Sequence, residues 1–178
     1  MEEREEGAGA DAVGAEGASL SHIESGPDGP RARMVDVGGK PATERRATAR
    51  ARVEFPPGLL EEVLAGGGPK GPIEEVARVA GVLAAKRTGE LIPMCHPLGL
   101  DVVEVRFERE GADVLQVLCT AGCTGPTGVE MEAMVGASVA ALTVYDMTKG
   151  ASKAIRLGAV ELLEKSGGKS GRWVRPGA

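Results

Sequence analysis

In residues 48–55, Ala49, Ala51, Val53 and Phe55 alternate with Thr48, Arg50, Arg52 and Glu54, and Pro56-Pro57 ends the run. A period of two predicts a half-buried strand. Leu59, Leu60, Val63 and Leu64 then form one stripe over 58–65, closed by three glycines, and Ile73, Val76, Ala77, Ala80, Leu83 and Ala84 recur at helical spacing. Two helices are expected there. Val103, Val105 and Phe107 alternate with Glu104, Arg106 and Glu108, Gly111-Ala112-Asp113 turns the chain, and 114–119 returns as the second arm of a hairpin. The Ala-, Met- and Val-rich stretch 129–147 is long enough for about five helical turns, and 155–163 reads as a last strand. This order predicts an α+β fold, the ferredoxin-like β-α-β-β-α-β sandwich, with helices on one face of an antiparallel sheet. Residues 1–18 are expected to be a disordered acidic tail, 19–172 a single domain, 26–33 a turn-rich loop and 173–178 a flexible C-terminus.

Composition changes this picture little. The 178 residues include 27 glycines without a Gly-X-Y period, four aromatics, three cysteines and two histidines, and 42% are hydrophobic. Collagen and a wholly disordered chain are excluded. An odd, small number of cysteines behind an acidic N-terminus with no apolar leader reads as a reducing, cytoplasmic protein. The weakly polar run 134–145 falls short of the ~20 residues that a membrane helix needs. Charge is more informative once partitioned. The net −5 lies within residues 1–17, which hold six acids and one base, so 18–178 is neutral; from 149 onward seven bases face Glu161 and Glu164. With so few aromatics, the chain lacks the basic face and stacking rings of general nucleic-acid binders.

Several segments could carry chemistry. Cys119 and Cys123, if on one strand, share a face but sit roughly 13 Å apart, so two buried thiols is the better reading than a disulfide or metal site. EKSGGKSG (164–171) fails the phosphate-loop pattern because Leu163 stands where glycine is required, although a Gly/Ser-rich loop with two lysines can still hold an anion. Prolines bracket His96 in LIPMCHPL (91–98), which suits a group that must be aimed; a packed connection with a satisfied histidine is the commoner alternative. Thr124-Gly125-Pro126-Thr127-Gly128 leads into Glu130-Met131-Glu132, either a helix start with dipole-compatible acids or a polar rim. Asp146 and Lys149 share a helix face, as a surface ion pair or a proton-transfer pair. Glu132 and Asp146 are fourteen residues apart, about 21 Å along a helix. If both ends of this helix serve one reaction, the site must be shared between chains at a dimer interface.

Met34-Val35-Asp36-Val37, Lys70-Gly71, Ala84-Ala85-Lys86-Arg87-Thr88, LIPMCHPL, TGVEMEA (127–133), SVAALTVYDMTK (138–149) and LLEKSGGKSG (162–171) together resemble the molybdenum cofactor biosynthesis protein C family, the cyclic pyranopterin monophosphate synthases. The resemblance covers residues 20–171. It implies a lyase that rearranges 3′,8-cyclo-7,8-dihydroGTP, supplied by a radical-SAM GTP 3′,8-cyclase, into the pyranopterin and closes a cyclic phosphate with loss of pyrophosphate. It also implies a homohexamer, a trimer of dimers with sites at the dimer interface, and no cofactor or metal of its own, with magnesium able to accompany the triphosphate. By motif, Asp146 matches the catalytic aspartate. Lys149 and Lys70 match further functional positions, as acids or phosphate clamps. Met94, Cys95, His96, Met131 and Glu132 match substrate-contacting segments, Glu130 and Lys165 further functional positions, and Arg45 a triphosphate contact. Pro126, Gly99 and a longer 119–125 turn depart from the family's usual pattern. A ferredoxin-like module that binds a purine triphosphate unchanged is the alternative reading, and removal of 1–18 is expected to leave turnover intact.

Overall fold

The computed structural model describes residues 23–26, 29–66 and 71–177. Two compact units are present, divided between Val35 and Asp36. In the first, β1 (Ile23–Gly26) and β2 (Gly29–Ala32) pair antiparallel. Residues 29–32, expected in a loop, are thus strand, paired with Ile23–Gly26.

The second unit runs β3 (Thr43–Glu54), α1 (Leu59–Gly66), α2 (Ile73–Lys86), the single turn α3 (Thr88–Leu91), β4 (Val102–Glu110), β5 (Val114–Gly125), α4 (Glu130–Thr148), β6 (Arg156–Ser166) and β7 (Trp173–Val174). Its sheet has the order β4-β5-β3-β6-β7 with every neighbouring pair antiparallel. Without the short β7 this is the ferredoxin-like order, and the expected α+β sandwich is the fold found. Trp173 and Val174, in the stretch expected to be a flexible end, pair with Lys165 and Glu164.

The alternation read over 48–55 is real: Ala47, Ala49, Ala51 and Val53 are buried beneath α4. The strand nevertheless starts five residues earlier, because Thr43–Arg46 find partners on β5 that local sequence does not disclose. Likewise 119–125 is continuous strand, not a turn. Thr120, Ala121, Gly122 and Cys123 are buried between β3 and β4, and a central strand needs no polar alternation. Cys119 and Cys123 are two buried free thiols on this strand; burial pushes the Cys119 thiol up to about 12.

Helix α4 has no single apolar stripe because apolar residues lie on both its faces: Glu132, Ala133, Ala137, Ala140, Ala141, Val144 and Met147 are buried, while Leu142 on the outer face is half exposed. It crosses α2 at Gly81 and Gly136. A Cβ on Gly136 would lie 2.5 Å from the Cys119 sulfur, and one on Gly81 2.9 Å from the Gly136 carbonyl oxygen, so both helices approach each other and the sheet through glycine. Among the described residues no helix is long and apolar enough to cross a membrane.

Candidate active site

The start of β3, the ends of β5 and β6 and the first turn of α4 meet at one end of the sheet. Arg45 occupies the centre of this end. Its register opposite Cys123 puts it on the helix face, where Nε donates to the Gly125 carbonyl (3.3 Å) and Nη2 to that of Pro126 (3.4 Å). The loop after β6 closes over it. Gly167 and Gly168 have φ of 95° and 71°, and a Cβ on Gly168 would lie 1.8 Å from Arg45 Nη1, so only glycine lets the loop sit there. Lys165 is half-buried and its ammonium donates to Ser170 Oγ across this loop.

Glu130 and Glu132, in the first turn of α4, lie at the same end. Glu130 Oε2 would lie 1.9 Å from a Cβ at position 128, which makes Gly128 part of the carboxylate's seat. Glu132 is only 4% exposed. Burial raises its carboxyl above the usual range; its own backbone amide opposes this and the Glu130 charge adds to it. Burial, then the Glu132 charge, also raises the Cys95 thiol. The Cys123 thiol is raised by burial, then by Asp101 and Glu132, with Arg45 opposing. These mutual effects place Cys95, Cys123, Asp101, Glu132 and Arg45 in one electrostatic neighbourhood.

The proline-bracketed loop reaches this neighbourhood because two anchors shape it. A Cβ on Gly89 would lie 3.1 Å from Pro97 Cα, so the loop folds back on α3, and the Cys95 amide closes a turn on the Ile92 carbonyl (3.0 Å). At its far end the Asp101 amide donates to the Gly122 carbonyl (2.9 Å) and Asp101 Oδ2 accepts from the Thr124 amide (2.9 Å). Asp101 was missed by sequence reasoning. The one available signal was an acid immediately before a strand, which many surface loops share. Met94, at the loop's tip, is exposed, while His96 and Met131 are half-buried.

Asp146 and Lys149 are elsewhere. They form an ion pair of 2.6 Å across one helical turn, each about half exposed, at the C-terminal end of α4. The Lys149 ammonium is raised by its hydrogen bond to Asp146 and then by that carboxylate's charge. The helix is unbroken over its 19 residues, so fourteen residues at 1.5 Å keep Glu132 and Asp146 about 21 Å apart. One chain therefore brings Arg45, Cys95, Glu130, Glu132 and Lys165 together and leaves Asp146 and Lys149 apart from them. Lys70 lies outside the described residues. Among the described residues no three His, Cys, Asp or Glu side chains come together as a metal-binding group.

A protein-family model described as the MoaC family matches residues 34–168. A cyclic pyranopterin monophosphate synthase of Chloroflexus aggregans is 50% identical over 157 residues, 88% of this chain and 93% of the relative. One of Novosphingobium aromaticivorans is 51% identical over 154 residues, 86% of this chain and 96% of the relative. The match runs from Met34 to Gly168 and contains every element from β3 to β6, together with both groups of charged residues at the ends of α4, so the chain belongs to the MoaC family.

Proposed function

We propose that this chain converts 3′,8-cyclo-7,8-dihydroGTP to cyclic pyranopterin monophosphate, releasing pyrophosphate, at sites each built from two chains. The observation that carries the composite site is the division of charged residues between the two ends of the straight helix α4. Arg45 and Lys165 are cations beside amide-rich glycine turns, the chemistry that holds an oligophosphate. Glu132, with its carboxyl raised by burial above the usual carboxylate range, is the acid at this end best placed to carry a proton and donate it. Across the interface the partner's own Asp146–Lys149 pair would complete the site, the carboxylate taking protons as the ring opens and recloses and the ammonium returning them or screening phosphate charge. His96 and Met94, on the anchored loop, would orient the purine-derived rings. In the closing step a hydroxyl oxygen bonds to the α-phosphorus, the bond to the bridging oxygen breaks, and pyrophosphate leaves with its electron pair.

This reading extends to a trimer of dimers in the cytoplasm, supplied by a radical-SAM GTP 3′,8-cyclase. The test is an assay of pyranopterin and pyrophosphate formed from the cyclic dihydroGTP. Wild type should turn it over and Asp146→Asn should lose roughly 10²- to 10⁴-fold, the scale of a positioned acid–base group. Full turnover by Asp146→Asn would refute the assignment. Tight binding by wild type without any product would favour a nucleotide-binding module instead.

A further inference from the structure

The C-terminal residues beyond the MoaC match have a structural task at this site. Strand β6 changes register against β3: Thr48 pairs with Glu164, but Ala49 pairs with Leu162. Leu163 is therefore an extra residue on β6, a β-bulge. Because side chains alternate, that extra residue decides which of Glu164 and Lys165 faces the helices. As built, Lys165 pairs with the core residue Ala47 and Glu164 with Thr48. Continuing the Ala49–Leu162 register without the bulge would set Glu164 opposite Ala47 and Lys165 opposite Arg46. A carboxylate would then replace the ammonium on the face that carries Arg45 and Glu132.

A bulge on β6, flanked on its outer side only by the two-residue β7, has little to hold it unless its carbonyls on that side are occupied. Arg175 occupies both. Its amide donates to the Leu163 carbonyl (2.7 Å) and its Nε to the Leu162 carbonyl (2.8 Å). Its Nη1 reaches Glu161 Oε1 (3.5 Å), and Glu161 also accepts from Arg50 Nη2 (2.8 Å), which ties the bulge to β3. The guanidinium lies 5.9 Å from the Trp173 ring centroid, and Trp173–Val174 pair with Lys165–Glu164 immediately after the bulge.

We infer that Arg175 is a positioning residue: it locks the β6 bulge so that Lys165, and not Glu164, faces the oligophosphate site. It acts through Lys165 and touches no reacting atom. The inference rests on the reading of Lys165 as a phosphate contact given above.

The experiment titrates the full chain with inorganic tripolyphosphate by calorimetry and, in parallel, follows pyrophosphate release from the cyclic dihydroGTP. Lys165→Ala and Arg175→Ala should each weaken tripolyphosphate binding about tenfold, the scale of losing one charge-assisted contact. The double variant should be no weaker than either single one. In turnover the effect should fall on KM, with kcat within about twofold of wild type, because the contact is made equally before and during the reaction. Arg175→Lys, which keeps the backbone amide and a charge for Glu161 but not the Nε donor, should fall between; it carries the test if Arg175→Ala unfolds. Unchanged tripolyphosphate affinity in folded Arg175 variants, effects that multiply in the double variant, or no tripolyphosphate binding by wild type would each overturn the inference. Wild type that binds tripolyphosphate and forms no pyranopterin would overturn the proposed function alone, while the Arg175–Lys165 coupling would still be read from affinity.

Discussion

The division of the site along α4 makes a quantitative claim that subunit mixing can check. Glu132 and Asp146 belong to one unbroken helix and stand about 21 Å apart, whereas proton transfer needs heavy atoms within about 3.2 Å or one bridging water. Glu132→Gln and Asp146→Asn should therefore each inactivate every site of a homogeneous preparation. In a dimer of one chain of each kind, one site collects both lesions and the other pairs an intact Glu132 with an intact Asp146. Random reassortment of equal amounts makes about half the dimers mixed, so activity should return to about one quarter of wild type, read as pyrophosphate release per chain. Differently tagged chains, co-expressed and purified through both tags, should keep about one quarter, since a trimer of dimers that carries both tags still has only about half of its dimers mixed. Doubly tagged assemblies that stay as inactive as the parents would refute the composite site.

Other consequences concern close approaches and burial. Gly136→Ala should destabilise: its Cβ would meet the Cys119 sulfur at 2.5 Å and Ala85 Cβ at 3.3 Å. Overpacking of this kind costs about 1–3 kcal/mol, more than the ~1 kcal/mol gained in helix propensity; a thermal melt should fall by a few degrees, and an unchanged Tm would contradict the packing argument. Gly168→Ala should displace Arg45 and raise KM in steady-state assays, with only a modest fall in melting temperature, because the clash and the left-handed φ of 71° fall on a half-buried loop outside the core. For Glu132, burial holds the native carboxyl above its unfolded value of 4.5, so the folded state binds the proton more tightly. Stability is then greatest below that unfolded value and is lost as pH rises through the native pKa. Glu132→Gln should remove this decline, so that urea titrations find the variant gaining on wild type as pH rises while turnover falls; parallel curves for the two proteins would sink the assignment.

Where local pattern and tertiary environment agree, the sequence was sufficient. Half-buried β4 and the alternating part of β3 read correctly because one face meets the core and the other water. The ends of β3 and β5 did not, since Arg45 sits at a core-facing position and 119–123 is buried on both faces, so neither shows a period of two. At the site, the motif residues were legible as types and α4 gave their separation by arithmetic. Their neighbours were not: Asp101 acts through a backbone amide twenty-three residues away, and the bulge at Leu163 exists only in the pairing of β6 with β3. Arg175 was invisible for the same reason, because two of its four contacts are to main-chain carbonyls that any residue provides.

The close packing of the inner face of α4 links the glycine-rich, aromatic-poor composition to the proposed assembly. With Gly81 and Gly136 at the crossing and Ala133, Ala137, Ala140 and Ala141 buried below it, the helix is packed too tightly against α2 and the sheet to bend. Kinks arise at proline, at Gly/Ser pairs, at a π-bulge or where a side chain or water inserts into the helix ladder; α4 has no proline, and although it carries Gly136 and Ser138 it continues without interruption from Glu130 to Thr148. No motion of a single chain can then carry Asp146 to Glu132 without breaking the core. On the proposed composite site a second copy does what a flexible hinge does in other enzymes, so activity per chain should fall steeply on dilution below the assembly constant. Specific activity that stays constant from micromolar down to concentrations where sedimentation shows only monomers would break this link between core packing and catalysis.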